Sequence, residues 1–176
     1  MVKKRYLKDY TRDEKGSLSY TGKFYRSAIS DADRKKHSLI GGAGGVLGIM
    51  ILLFALSLNC IGTVSIQVIL PLEFTLLCYG YYLSGIAVFS KADNRMELRT
   101  YEGAFLRTIQ SVTLAMVLQI VSLLGEGWII FTTGGGTGRK EYYLLLSIAF
   151  VLMLSMFLWN RNRRLIAQVR EENQNT

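Results

Sequence analysis

Four stretches of this 176-residue chain are long and almost free of charge: Leu39–Leu58, Ile66–Phe89, Thr108–Leu124 and Tyr142–Trp159. A helix needs roughly 20 apolar residues, with a range of about 17–25, to cross a bilayer's hydrocarbon. These stretches contain 20, 24, 17 and 18 residues. Inside lipid every backbone N–H and C=O must be satisfied within its own segment, which selects helices over open strands. A soluble domain this small has too little remaining chain to cover four such helices. The expectation is an all-α integral membrane protein, a four-transmembrane-helix bundle. The first stretch starts behind a largely polar segment of 38 residues, too late and too long for a cleaved leader, and is read as a permanent anchor.

Composition narrows the class further. Charged residues make up 19% of the chain, against about 25% in globular proteins. The 50% hydrophobic content excludes whole-chain disorder. Two cysteines are too few for a disulfide-stapled scaffold. Cys60 falls at one membrane edge and Cys78 about 18 Å inside the second span, so a bond between them is not expected.

Charge predicts the orientation. Of the 21 Lys and Arg residues, 11 lie in residues 1–38, four in 90–107 and four in 160–176; residues 59–65 hold none and 125–141 hold two, Arg139 and Lys140. The positive-inside rule therefore places both termini and the second loop in the cytoplasm of a cell (plasma) membrane protein. Trp128 and Trp159 fall at opposite headgroup depths. The net charge of +8 is then a topology signal, and a nucleic-acid partner is not expected. Lys35, Lys36, Arg161, Arg163 and Arg164 are the candidate headgroup contacts, each favoured by about 1 kcal/mol near anionic lipid.

The polar segments carry patterns of their own. Within residues 1–38, a β-hairpin is expected over about 4–26, turning at Asp13–Ser17 with Gly16 in the left-handed position. That register sets Tyr10 opposite Tyr20 and Tyr6 opposite Phe24, with Leu18 on the same face. Isolated hairpins are marginal in water, so this face needs cover from the membrane, the bundle end or a partner. Ser30 or Asp31 caps the helix entering span one. Residues 96–107 extend span three, and the 160–176 tail extends span four as a basic helix.

Small and polar residues mark helix-packing faces. Gly41/Gly45 and Gly44/Gly48 form GxxxG pairs, and Gly80/Ser84 repeat the spacing in span two. Ser111, Ala115 and Gln119 recur every four residues in span three, with Ser122 nearby. Glu73 is the one Asp, Glu, Lys, Arg or His inside the four stretches, about 10 Å from the start of its span. Charged groups in lipid cost about 2.5–3.5 kcal/mol on insertion scales and turn inward. Glu73, Gln119 and Ser147, at similar depths, are therefore expected to meet as an intramembrane polar cluster.

Chemistry finds little support. Gly42-x-Gly44-x-x-x-Gly48 has no preceding strand to make a dinucleotide turn. Gly134–Lys140 misses the phosphate-loop spacing, because Arg139 intervenes. His37 is the lone histidine and has no converging metal ligands. No nucleophile–base set or paired intramembrane acids are read. The expectation is a non-enzyme without metal or cofactor: an accessory or binding subunit that docks a protein partner on its cytoplasmic side or a second copy of itself. The alternative is a small oligomeric transporter or channel that uses Glu73.

Overall fold

The computed structural model describes residues 10–12, 18–133 and 138–171. The protein is mostly helical, with four helices long and apolar enough to span a membrane. Helix α1 runs Asp31–Leu56, a short α2 Ile61–Val64, and α3 Ile66–Ser90. A continuous helical segment, Leu98–Thr132, comprises α4 (Leu98–Tyr101), a π-helical turn (Glu102–Leu106) and α5 (Arg107–Thr132). Helix α6 runs Arg139–Ile166. Ser30 is the N-cap of α1: the Asp33 N–H donates to its Oγ at 3.2 Å, and Asp31 and Asp33 complement the positive helix end.

The bundle is built inside out relative to a soluble protein. Its outward faces are apolar, with Met50, Leu77, Leu124 and Phe131 all more than 60% exposed. Its interior mixes Leu52, Leu72, Ile148 and Leu158 with buried Thr75, Gln119, Ser122, Glu126, Ser155 and Asn162. Burial recurs every three or four residues on each long helix, as at Thr108, Ser111, Val112, Ala115, Gln119, Ser122, Glu126 and Ile129 on α5.

The glycines of α1 let two neighbours approach. A Cβ at Gly41 would lie 2.9 Å from Ile86, at Gly45 2.6 Å from Leu83, and at Gly48 2.5 Å from Tyr79, all on α3. Gly44 faces α6 instead, with Leu158 2.9 Å from its ideal Cβ. The Gly80/Ser84 pair behaves differently. Both residues are exposed, and nothing lies within 4 Å of a Cβ built on Gly80. This face of α3 points outward, and among the described residues nothing packs on Gly80.

At one end of the bundle, segments far apart in sequence form a sheet of order β4-β3-β5. Its strands are β3 (Phe24–Ser27), β4 (Arg95–Glu97) and β5 (Val169–Glu171). Tyr25 pairs with Met96 on one side and with Glu171 on the other. A small core of Ile29, Phe89, Met96, Phe105 and Leu165 lies beneath, and Tyr25 stacks on Tyr101 at 4.2 Å. The C-terminal helix therefore stops at Ile166, short of the expected extension through the tail, because residues 169–171 join this sheet.

The second strand of the N-terminal hairpin ends earlier than expected. Strands β1 (Tyr10–Arg12) and β2 (Leu18–Tyr20) pair with Tyr10 opposite Tyr20 and Arg12 opposite Leu18, the expected register. Phe24 belongs to β3 and pairs with Glu97; Tyr6 lies outside the described residues. The aromatic residues are covered by the chain's own bundle end. The Tyr10 hydroxyl donates to Glu97 Oε2 at 2.6 Å, the Leu98 N–H donates to the Tyr20 hydroxyl at 3.2 Å, and Arg95 stacks over Phe24 at 4.0 Å. The bond to Glu97 stabilises the protonated phenol and pushes the Tyr10 pKa up to about 12. Lys23 pairs with Glu171 at 2.7 Å, and that carboxylate raises the Lys23 pKa. Arg34 Nη2 donates to Asn94 Oδ1, tying α1 to the turn before β4.

Candidate functional site: an outward carboxylate and a buried polar column

The expected meeting of Glu73, Gln119 and Ser147 does not occur. Gln119 is fully buried, whereas Glu73 is exposed on the outward face of α3. Ser147 is half-buried, and its hydroxyl donates back to the Tyr143 carbonyl at 2.7 Å. The spacing placed Glu73 on the Gly80/Ser84 face correctly, but that face is turned away from the bundle. Glu73, Leu77, Gly80 and Ser84 follow one another at steps of four, three and four residues, a single stripe along the helix. Leu70, Phe74 and Tyr81 flank it, each about half exposed. At the stripe's sheet end, Arg107 Nη1 donates to Ser84 Oγ at 3.3 Å, and its guanidinium lies 4.7 Å over the Tyr81 ring.

Inside the bundle, a column of polar side chains runs from end to end. Next to the sheet, Tyr82, Asn162, Arg161 and His37 gather. The Tyr82 hydroxyl, Asn162 Nδ2, His37 Nδ1, and Nε and Nη2 of Arg161 are buried without hydrogen-bond partners among the described residues. Arg161 is thus turned partly inward, whereas Lys35, Lys36, Arg163 and Arg164 are exposed. Arg163 lies 5.3 Å over the Trp159 ring. At mid-height, the Tyr79 and Ser155 hydroxyls are 2.8 Å apart, with Gln119 beside them. Ser122 Oγ reaches the Val68 carbonyl at 3.3 Å. Fully buried Leu52, Leu72, Ile148, Val151 and Leu158 pack among these groups.

The far end of the column holds a pair of acids that the sequence reading missed. Helix α5 continues to Thr132 and α6 begins at Arg139, which brings Glu126 and Glu141 inside the helices. Both are almost completely buried, at 0% and 2% exposure, and their carboxyls converge on the start of α2 at Gly62. Glu141 accepts the backbone N–H groups of Ile61 at 2.6 Å and Gly62 at 3.3 Å. A Cβ at Gly62 would overlap Glu126 Oε2. Cys60 caps the same turn, its N–H donating to Thr63 Oγ1 at 2.9 Å, and burial pushes its thiol pKa up. Beside it opens a cavity of about 530 Å³ lined by Asn59, Cys60, Ile61, Val64, Gly138, Lys140 and Glu141. The signal for Glu126 was present: Ser111, Ala115, Gln119 and Ser122 continue to it in one further turn.

Cys60 and Cys78 are both free thiols. Among the described residues no group of three or more His, Cys, Asp or Glu side chains is placed to hold a metal ion. No family model, curated protein or solved structure matches the chain.

Proposed function

We propose that the chain is a non-enzymatic binding subunit embedded in the cell membrane, with both termini and the small sheet cytoplasmic, that docks another membrane protein through the outward face of α3. One observation carries this reading: Glu73, the one charged residue of α3, lies on an outward stripe in line with Gly80 and Ser84. An ionisable group facing hydrocarbon is costly and rare. Small residues beside it let another backbone come close. Both features are accounted for by a partner helix that supplies a basic or hydrogen-bonding side chain at the depth of Glu73. The sheet adds a folded platform at the same subunit's inner end, and Lys35, Lys36, Arg163 and Arg164 suit inner headgroups.

The test compares Glu73→Gln with Glu73→Leu, reading the mass of the assembly after gentle solubilisation from its native membrane. The parent and the Gln variant should run well above the 19.8 kDa of one chain, and the Leu variant should fall to one chain. A parent of single-chain mass, or a Leu variant that keeps the parent's assembly, overturns the reading.

A second reading, a small proton-coupled transporter, is favoured by the polar column, with the Glu126/Glu141 pair taking the place first given to Glu73. Proton flux into vesicles that is abolished by Glu126→Gln would support it; silent vesicles would count against it.

A further inference from the structure

The pair formed by Glu126 and Glu141 is more than a packing feature, because its two members are partnered unequally. Glu141 accepts two backbone N–H groups from the start of α2. Glu126, at 0% exposure, has neither carboxyl oxygen hydrogen-bonded to any donor among the described residues, yet it is pressed against Gly62, the same residue whose N–H Glu141 accepts.

The charges nearby do not balance two carboxylates. From the α2 segment, the Cys60 thiol faces Glu141, while the Thr63 hydroxyl is taken up by the Cys60 backbone. On α6, Arg139 and Lys140 are exposed, and no ion pair joins either to Glu141 among the described residues. The rest of α5 offers no ionisable group before Arg107 at its other end, and residues 133–138 are Thr-Gly-Gly-Gly-Thr-Gly. On α3 the neighbouring polar residue is Gln67, and the next acid, Glu73, faces outward. Helix α1 carries nothing ionisable between Leu39 and Leu56. Two ionised carboxylates buried side by side repel and lose their hydration.

We infer that Glu126 and Glu141 bind one proton between them, and that this proton latches the Cys60–Ser65 segment onto α5 and α6. With one proton, the Glu126 carboxyl donates to Glu141, and the Glu141 carboxylate stays charged to hold the Ile61 and Gly62 N–H groups. Charge-assisted bonds of this kind are about twice as strong as neutral ones. When that proton leaves to solvent, two like charges remain. Glu141 already lines the 530 Å³ cavity, so it can swing toward it and release the turn. When a second proton arrives, Glu141 becomes neutral and its grip on the two N–H groups weakens. The latch is therefore tightest in the one-proton state, and the segment loosens on either side of it.

The test is amide hydrogen exchange at Ile61 and Gly62 in lipid nanodiscs, corrected for intrinsic rate, from about pH 5 to about pH 9. The parent's protection should fall about tenfold toward the alkaline end, the loss of one charge-assisted hydrogen bond. Glu126→Gln, whose amide donates to Glu141 without titrating, should keep its protection there. Glu141→Gln should be less protected at every pH. A flat parent profile, or a Glu126→Gln variant that follows the parent, overturns the proposal. Infrared spectroscopy of the parent supplies a readout free of mutation: a protonated carboxyl C=O band should be present at neutral pH and disappear on the same alkaline titration. Absence of that band at neutral pH overturns the proposal as well.

Discussion

Replacing Gly48 by alanine tests how tightly α1 is held to α3. The added Cβ would lie 2.5 Å from Tyr79 Cε1, 2.6 Å from Cζ and 3.0 Å from the hydroxyl. Carbon atoms pack at about 3.5–4.0 Å, so about 1 Å of separation must be found. The ring has little room to move: Tyr79 is 2% exposed, and its hydroxyl is tied to Ser155 at 2.8 Å. Overpacking of this kind costs about 1–3 kcal/mol, and a displaced buried hydrogen bond adds about 0.5–1.5 kcal/mol. Alanine's better helix propensity returns about 1 kcal/mol. The net expectation is a loss of roughly 1–3 kcal/mol, read as reversible unfolding in mixed micelles. Gly42→Ala is the control, since nothing lies within 4 Å of its Cβ, and it should be neutral or stabilising. A Gly48→Ala protein as stable as Gly42→Ala would refute the close α1–α3 contact.

The remaining expectations concern the two ends of the bundle. Tyr10→Phe removes the bond to Glu97 and should destabilise the sheet end by about 1–2 kcal/mol at neutral pH. The folded pKa of Tyr10 is raised, so its contribution is full below the unfolded value of about 10 and disappears as pH rises through about 12. The stability difference between parent and Tyr10→Phe in thermal melts should shrink over that alkaline range. Ser30→Ala deletes the α1 N-cap and should cost about 1 kcal/mol, visible in the same melts. A cysteine introduced at Thr137 should react with an impermeant reagent added outside intact cells, and one at Gln174 should not; the reverse pattern would invert the proposed topology.

Much of this arrangement is legible in the sequence, and the misses have separate causes. The helices, the α1 glycine stripe and the Tyr10–Tyr20 register follow from local periodicity. The Gly80/Ser84 face with Glu73 was also visible, but periodicity gives angles between residues on one helix, not which side meets the bundle. Glu126 and Glu141 stand just outside the apolar runs, which end at the first charge, yet a buried helix face tolerates a paired acid where a lipid face does not. The three-stranded sheet was lost for another reason. Its strands have three or four residues, too short for an alternating pattern, and they come from segments whose pairing depends on the assembled bundle. The π-helical turn before α5 has no sequence signature at all.

The claim that the outward face of α3 meets another protein is open to one direct measurement. A photoreactive residue placed at Leu77, on the Glu73 stripe and 67% exposed, is irradiated in native membranes and compared with one at Met50, 63% exposed on α1. The expected result is a discrete protein adduct from position 77 and lipid adducts alone from position 50. An adduct of two copies of this chain would replace the partner by a homo-oligomer. Lipid adducts alone from both positions would contradict the account.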